Sequence, residues 1–137
     1  MAKILWIEDE ADRIRGVVRS IEKEHDFDIA YSRSEALRKL EINNYDLIIL
    51  DIYIPPVSEG EEKTHQKHED YEGIKVLEIL RNELKIKTKL IIFSVVNTSE
   101  LDKLTNGLNV FAIMQKGTLS PKSLKEKVNE ALGLINE

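Results

Sequence analysis

The chain has no cysteine, which excludes disulfides, thiolate zinc sites and cysteine nucleophiles and makes a reducing compartment, by default the cytoplasm, the expected location. It has no long apolar run. The longest are Leu47 to Leu50, Leu90 to Phe93 and Val110 to Met114, far below the roughly 20 residues of a spanning helix, so no membrane insertion is expected. The opening MAKILWIEDE carries one basic residue and a short apolar stretch before its acids, too little for a secretory signal, so no export cleavage is expected. An excess of positive charge is also missing. Twenty Lys and Arg stand against 25 Asp and Glu, a formal charge of -5, which disfavours a polyanion-binding surface and removes nucleic acid from the expected partners. There is no internal repeat, low-complexity tail or linker. What is present is 137 residues, 42% of them apolar, enough for one compact core, and a single domain over 1–137 is the expected organisation.

Short apolar runs at Ile4 to Ile7, Phe27 to Tyr31, Leu47 to Leu50, Leu90 to Phe93 and Val110 to Met114 alternate with stretches of helical spacing. In those stretches the apolar positions are Ile14, Val17, Val18 and Ile21; Ala36, Leu37 and Leu40; Leu77, Leu80 and Leu84; Leu101, Leu104 and Leu108; and Leu124, Val128, Ala131, Leu132 and Ile135. Five strands each followed by a helix are expected. The runs at Leu47 and Leu90 lack polar alternation, as strands covered on both faces do, which makes them central in a parallel sheet. Capping chemistry marks three helix starts: Ser32 with Glu35, Asn97 with Glu100, and Ser120 before Pro121. The fold class is therefore α/β, with an open parallel sheet that binds ligands at the carboxyl ends of its strands.

One segment interrupts the rhythm. Residues 54–71 follow the third strand where a loop of about 2 to 6 residues would be usual. Glu59 to Glu72 holds six acids against two lysines, a net of -4 out of the chain's -5. It reads as a charged insertion, partner-facing or covering the pocket, that contributes little to the core. His65 and His68 lie within it at a spacing that suits a divalent metal only with a third fixed ligand, so they read as solvated. Trp6 reads as packing of the first strand, His25 as a surface residue at a helix end, and Lys85, Lys87 and Lys89 as a charged loop.

The residues that end the strands carry the chemistry. Glu8, Asp9 and Glu10 follow the first, Asp51 the third, Ser94 the fourth and Lys116 the fifth. In a sheet ordered 2-1-3-4-5 these ends lie side by side. A carboxylate closing a buried apolar strand must be solvated, paired or metal-bound, so Asp51 reads either as an ordinary exposed strand-end acid or as a site residue. Glu8 and Asp9 read either as solvated first-turn acids or as partners of Asp51, whose mutual repulsion a hard cation such as Mg2+ and the Lys116 ammonium would offset.

Order and spacing of these landmarks resemble the receiver domains of two-component response regulators over essentially the whole chain. The resemblance implies a doubly wound five-stranded parallel sheet of order 2-1-3-4-5, the flavodoxin-like receiver fold. It implies that a sensor histidine kinase or phosphotransfer protein phosphorylates Asp51 with Mg2+, Lys116 and Ser94 assisting. Asp9, Asp51 and the main-chain carbonyl of Tyr53 would ligate the metal, Glu8 would hold its waters, and the product would be an aspartyl phosphate, a switch more than a turnover enzyme. A stand-alone receiver signalling through a downstream protein target is the expectation. Independently of any family, transfer to a carboxylate needs an in-line oxygen and cations offsetting phosphoryl charge.

Several positions depart from the family's pattern. Val95 stands where a small residue is usual and would narrow access. Ile113 replaces the aromatic switch residue, with Phe111 two residues earlier and hence expected on the same sheet face. Gly117 follows Lys116 in place of a proline, and the glycine that follows the phosphoacceptor is Gly73, displaced by the insertion. Tyr53 and Val96 occupy the positions that flank water's path to the phosphoryl group. Val95 and Ile113 favour the competing reading, a phosphorylation-independent interaction module of the same fold. A haloacid-dehalogenase-type phosphatase needs a second acid where Tyr53 stands, and a dinucleotide enzyme needs a glycine fingerprint that is absent after the first strand.

Overall fold

The structure, a computed structural model, describes residues 2–9, 15–54, 72–95, 98–115 and 120–134. In chain order they form β1 (Lys3–Ile7), α1 (Arg15–Glu22), β2 (Asp26–Ala30), α2 (Arg33–Ile42), β3 (Leu47–Leu50), α3 (Glu72–Glu78), β4 (Lys89–Ser94), α4 (Thr98–Leu104), β5 (Ala112–Gln115) and α5 (Pro121–Ala131). All strand pairs are parallel, in the order β2-β1-β3-β4-β5, the order that the resemblance to receiver domains implies. Every residue of β3 is buried, since a central strand of a sheet covered on both sides has no solvent face.

Period-two alternation splits the strand residues between two apolar layers. Leu5, Ile7, Ile48, Leu50, Leu90 and Ile92 pack against residues of α2, α3 and α4 such as Leu40, Leu77 and Leu101. Ile4, Trp6, Leu47, Ile49, Ile91 and Phe93 pack against Val18 and Ile21 of α1 and Leu124 and Val128 of α5. Trp6 anchors the second layer, tilted against Phe27 and edge-on to Phe93 with ring centroids 6.0 and 5.8 Å away. Two of the expected caps are formed: Ser32 Oγ accepts from the Glu35 amide and Ser120 Oγ from the Ser123 amide. Asn97 lies outside the described residues, as do Ile14 and Ile135.

Four readings are corrected. The fifth strand begins at Ala112, not Val110, and Phe111 packs in the α1/α5 layer while Ile113 packs in the other. The two residues are therefore on opposite faces, because residue 111 precedes the strand and escapes its alternation. Leu108 lies beyond α4, past Gly107 at φ +81°. Helix α3 runs into a π-helical turn, Ile79–Glu83, closed by the Leu84 amide on the Ile79 carbonyl at 2.9 Å. Arg81 in that turn donates to the carbonyls of Ile86, Leu108 and Asn109 and so ties the approach to β4 to the approach to β5. Finally, His25 is 7% exposed rather than superficial; its Nδ1 accepts from the Ala2 amide at 3.2 Å, a contact made by chain 23 residues away.

Candidate functional site

The ladder of the sheet places the acids. The Asp51 amide donates to the Ile7 carbonyl and the Glu8 amide to the Ala30 carbonyl, both at 2.9 Å, so β3, β1 and β2 end level with one another and bring Glu8 beside Asp51. Glu8 is fully buried, Asp51 is 4% exposed and Asp9 is half-buried. One carboxylate oxygen from each of Glu8, Asp9 and Asp51 lies within 4.8 Å of the others. Three carboxylates at this separation repel one another strongly in a partly dry setting. Oxygen donors on a compact, charged cluster suit a hard divalent cation, which relieves that repulsion. The donor chemistry fits the expected metal at the expected acids, and Asp51 is not an ordinary exposed strand end.

Backbone geometry holds the Asp51 side chain in one orientation. The Tyr53 amide donates to Asp51 Oδ1 at 3.1 Å, an aspartate-led turn that begins where β3 stops. Ile52 and Ile54 are buried on either side of the half-buried Tyr53, whose ring packs against the α2/α3 layer. Behind this turn lies Gly73: its amide donates to the Ile52 carbonyl at 3.0 Å, and a Cβ there would meet the Asp51 carbonyl oxygen at 2.4 Å and Ile52 Cα at 2.6 Å. Only glycine lets α3 approach so closely.

Ser94, one strand over, ends β4 fully buried, in register with Gln115 of β5. Val95 beside it is 58% exposed. Lys116 follows the last residue of β5 in sequence; it, Val96, Gly117 and the segment 55–71 with His65 and His68 lie outside the described residues.

Sequence reasoning missed one feature. Glu72, counted there among the solvated acids of the insertion, is the first residue of α3 and 4% exposed. Its carboxylate accepts from Arg33 Nη1 at 2.6 Å and from Lys75 Nζ at 3.1 Å. Only the Lys75 pair, three residues away, has a local signal; Arg33 is 39 residues distant.

Fold and site together define a doubly wound α/β domain with a cluster of three acids at the carboxyl edge of its sheet. No protein-family model matches the chain. Among curated proteins it is 41% identical over 59 residues to the response regulator ArlR of Staphylococcus saprophyticus, a match spanning 42% of this chain and 27% of that protein. Among solved structures it is similar to the receiver domain of Francisella response regulator 1452, with a TM-score of 0.77 and 25% identity over 97% of this chain and 98% of that one. It is also similar to the response regulator TrrA of Thermotoga maritima, solved in complex with Mg(2+)-BeF, with a TM-score of 0.71 and 26% identity over 96% of this chain and 99% of that one. The chain thus has the fold of the response-regulator receiver domains that are its structural neighbours, and its curated relative is itself a response regulator, of whose length it spans about a quarter.

Proposed function

We propose that this receiver accepts a phosphoryl group on Asp51 from a histidine kinase or phosphotransfer protein and passes the signal to a protein target. The observation that carries the reading is the convergence of Glu8, Asp9 and Asp51 within 4.8 Å at the edge where buried Ser94 also ends its strand. A carboxylate oxygen of Asp51 attacks phosphorus in line; the new O–P bond forms as the P–N bond of a phosphohistidine breaks, and the imidazole nitrogen leaves with the electron pair. The Tyr53 amide on Oδ1 keeps the carboxylate from rotating, so that its other oxygen serves as nucleophile. Ser94 donates its hydroxyl proton as a hydrogen bond to a phosphoryl oxygen, and Lys116 offsets charge on another. Asp9, Asp51 and the Tyr53 carbonyl would hold Mg2+, with Glu8 near its waters, and the ion would supply the remaining positive charge. A cytoplasmic location follows from the kinase side of such signalling.

Intact-mass measurement after incubation with acetyl phosphate and Mg2+ tests this. One added phosphoryl group, absent in Asp51→Asn and without Mg2+, is expected. No gain, or an equal gain in Asp51→Asn, overturns the assignment and favours a phosphorylation-independent interaction module.

A further inference from the structure

We infer that Arg33 and Glu72 act as a positioning pair for Asp51, through the start of α3, in the phosphoacceptor role proposed above. The chain of contacts is short and each link is structural. Ser32, buried and capping α2, sets the point from which Arg33 reaches across to α3. Arg33 Nη1 grips Glu72 Oε2 at 2.6 Å. Glu72 is followed by Gly73, whose amide donates to the Ile52 carbonyl and whose Cα is pressed against the backbone of Asp51 and Ile52. The next amide along, that of Tyr53, holds Asp51 Oδ1. A polar side chain only 4% exposed keeps its place through the partners its oxygens find. Without Arg33, the Glu72 carboxylate keeps Lys75, a partner on its own helix, and the first turn of α3 loses its charge-pair tie to α2. Gly73 then leaves the Ile52 carbonyl, and the turn that orients Asp51 loosens.

Lys75 does not substitute for Arg33. Its side chain is 47% exposed and it lies on the same helix as Glu72, so it neutralises the carboxylate without anchoring α3 to anything. Arg33 comes from α2 and is the described residue that ties the start of α3 to a neighbouring element through a charge pair.

The sign of one measurement separates positioning from plain electrostatics. Arg33→Met removes a positive charge from the domain that carries the acidic cluster, so charge alone would tighten Mg2+ binding. Loss of Asp51 orientation would weaken it. Mg2+ titration calorimetry on the full chain is therefore expected to show about three- to tenfold weaker binding in Arg33→Met, with slower phosphorylation by acetyl phosphate. Arg33→Lys, which keeps the charge and a single hydrogen bond, should restore affinity to within about twofold. If Arg33→Met folds poorly, Glu72→Gln, which keeps the shape of the side chain, reports on the same link. Amide hydrogen exchange in metal-free protein gives a second readout independent of phosphorylation. Exchange of the Gly73 and Tyr53 amides should rise at least tenfold in Arg33→Met while amides of β1 and β3 stay protected. Unchanged exchange at Gly73 and Tyr53, or tighter Mg2+ binding, overturns the positioning role. Failure of the parent protein to bind Mg2+ or take up phosphate overturns the proposed function instead and leaves the exchange result to decide the link.

Discussion

Gly73 lies so close to Asp51 that a Cβ on residue 73 would come within 2.4 Å of the Asp51 carbonyl oxygen. That contact sets the distance between α3 and the end of β3, and backbone cannot move aside as a flexible side chain can. On helix propensity alone Gly73→Ala should stabilise α3 by up to about 1 kcal/mol. The clash predicts the opposite sign: a loss of roughly 1–3 kcal/mol, the range of overpacked cores, in urea denaturation. A neutral or stabilised Gly73→Ala would mean that α3 slides freely past the site.

The acidic cluster makes a second prediction. Glu8 and Asp51 are buried beside Asp9, so the folded state holds close like charges that the unfolded chain separates. Neutralising one of them, as in Asp51→Asn or Glu8→Gln, should raise the metal-free melting temperature by a few degrees, about 1 kcal/mol for a domain of this size. In the parent, Mg2+ should raise it too, since a ligand that binds only the folded state stabilises by mass action. The gain from Mg2+ should shrink in Asp51→Asn and Asp9→Ala. Thermal scans across a Mg2+ series measure both, and equal Mg2+ stabilisation in parent and variants would remove these acids from the ligand set.

The central place of β3 and the strand-end acids Glu8, Asp9 and Asp51 were legible because each depends on local signals, whereas the full strand order came with the resemblance to receiver domains. Leu47 to Leu50 is apolar on both faces because β3 is covered on both, and strand-end acids follow from where such runs stop. Burial of polar groups was not legible in the same way. His25 is closed in by Ala2, and Glu72 by an arginine from another helix; nothing within a few residues of either foretells the partner. The start of β5 failed for a related reason. Val110 and Phe111 are as apolar as a strand, but they pack in different layers ahead of the strand that begins at Ala112, although the Phe111 amide already donates to the Leu90 carbonyl, and composition does not distinguish such an approach from the strand proper.

A third prediction concerns the amino end of the sheet, away from the site. Partial burial works to raise the Asp28 carboxyl, but hydrogen bonds from Lys39 and Tyr45 outweigh it and hold the group below its ordinary value. Those bonds are 2.8 Å from Lys39 Nζ and 2.7 Å from the Tyr45 hydroxyl. A depressed carboxyl contributes stability that is full above its unfolded value, about 3.9, and disappears as pH falls through the folded one. Asp28→Asn should therefore cost about 1 kcal/mol near neutrality, as a part-exposed charged hydrogen bond does. Its denaturation midpoint should converge with the parent's in acid. Burial, followed by Asp28, pushes the Tyr45 phenol upward. Its contribution is accordingly present below about pH 10 and fades as the solution becomes more alkaline. A gap between parent and Asp28→Asn that widens on acidification would contradict the pairing.

The last prediction concerns the lifetime of the phosphorylated form. The resemblance to receivers assigns Tyr53 and Val96 to the flanks of the path by which water reaches the phosphoryl group, and neither side chain offers a base or an amide to orient that water. Tyr53 is anchored twice over: its amide holds Asp51 Oδ1 and its ring packs on the apolar layer between buried Ile52 and Ile54. A ring in that assigned position would leave an attacking water without a hydrogen-bond partner in line, and misplacement by about 1 Å can cost on the order of a hundredfold in rate. Slow hydrolysis is expected for the parent. Tyr53→Asn replaces the ring with an amide able to orient water and keeps the backbone N–H on Asp51, so the phosphoprotein should decay faster, by up to roughly a hundredfold. Val96→Glu should act in the same direction by supplying a base. Decay of purified phosphoprotein, followed by intact mass in excess Mg2+, measures this directly. Variants that decay no faster than the parent would show that the lifetime is set by the orientation of the Asp51 carboxylate and not by the side chains around it, in which case Arg33→Met, which loosens that orientation, should be the variant that changes it.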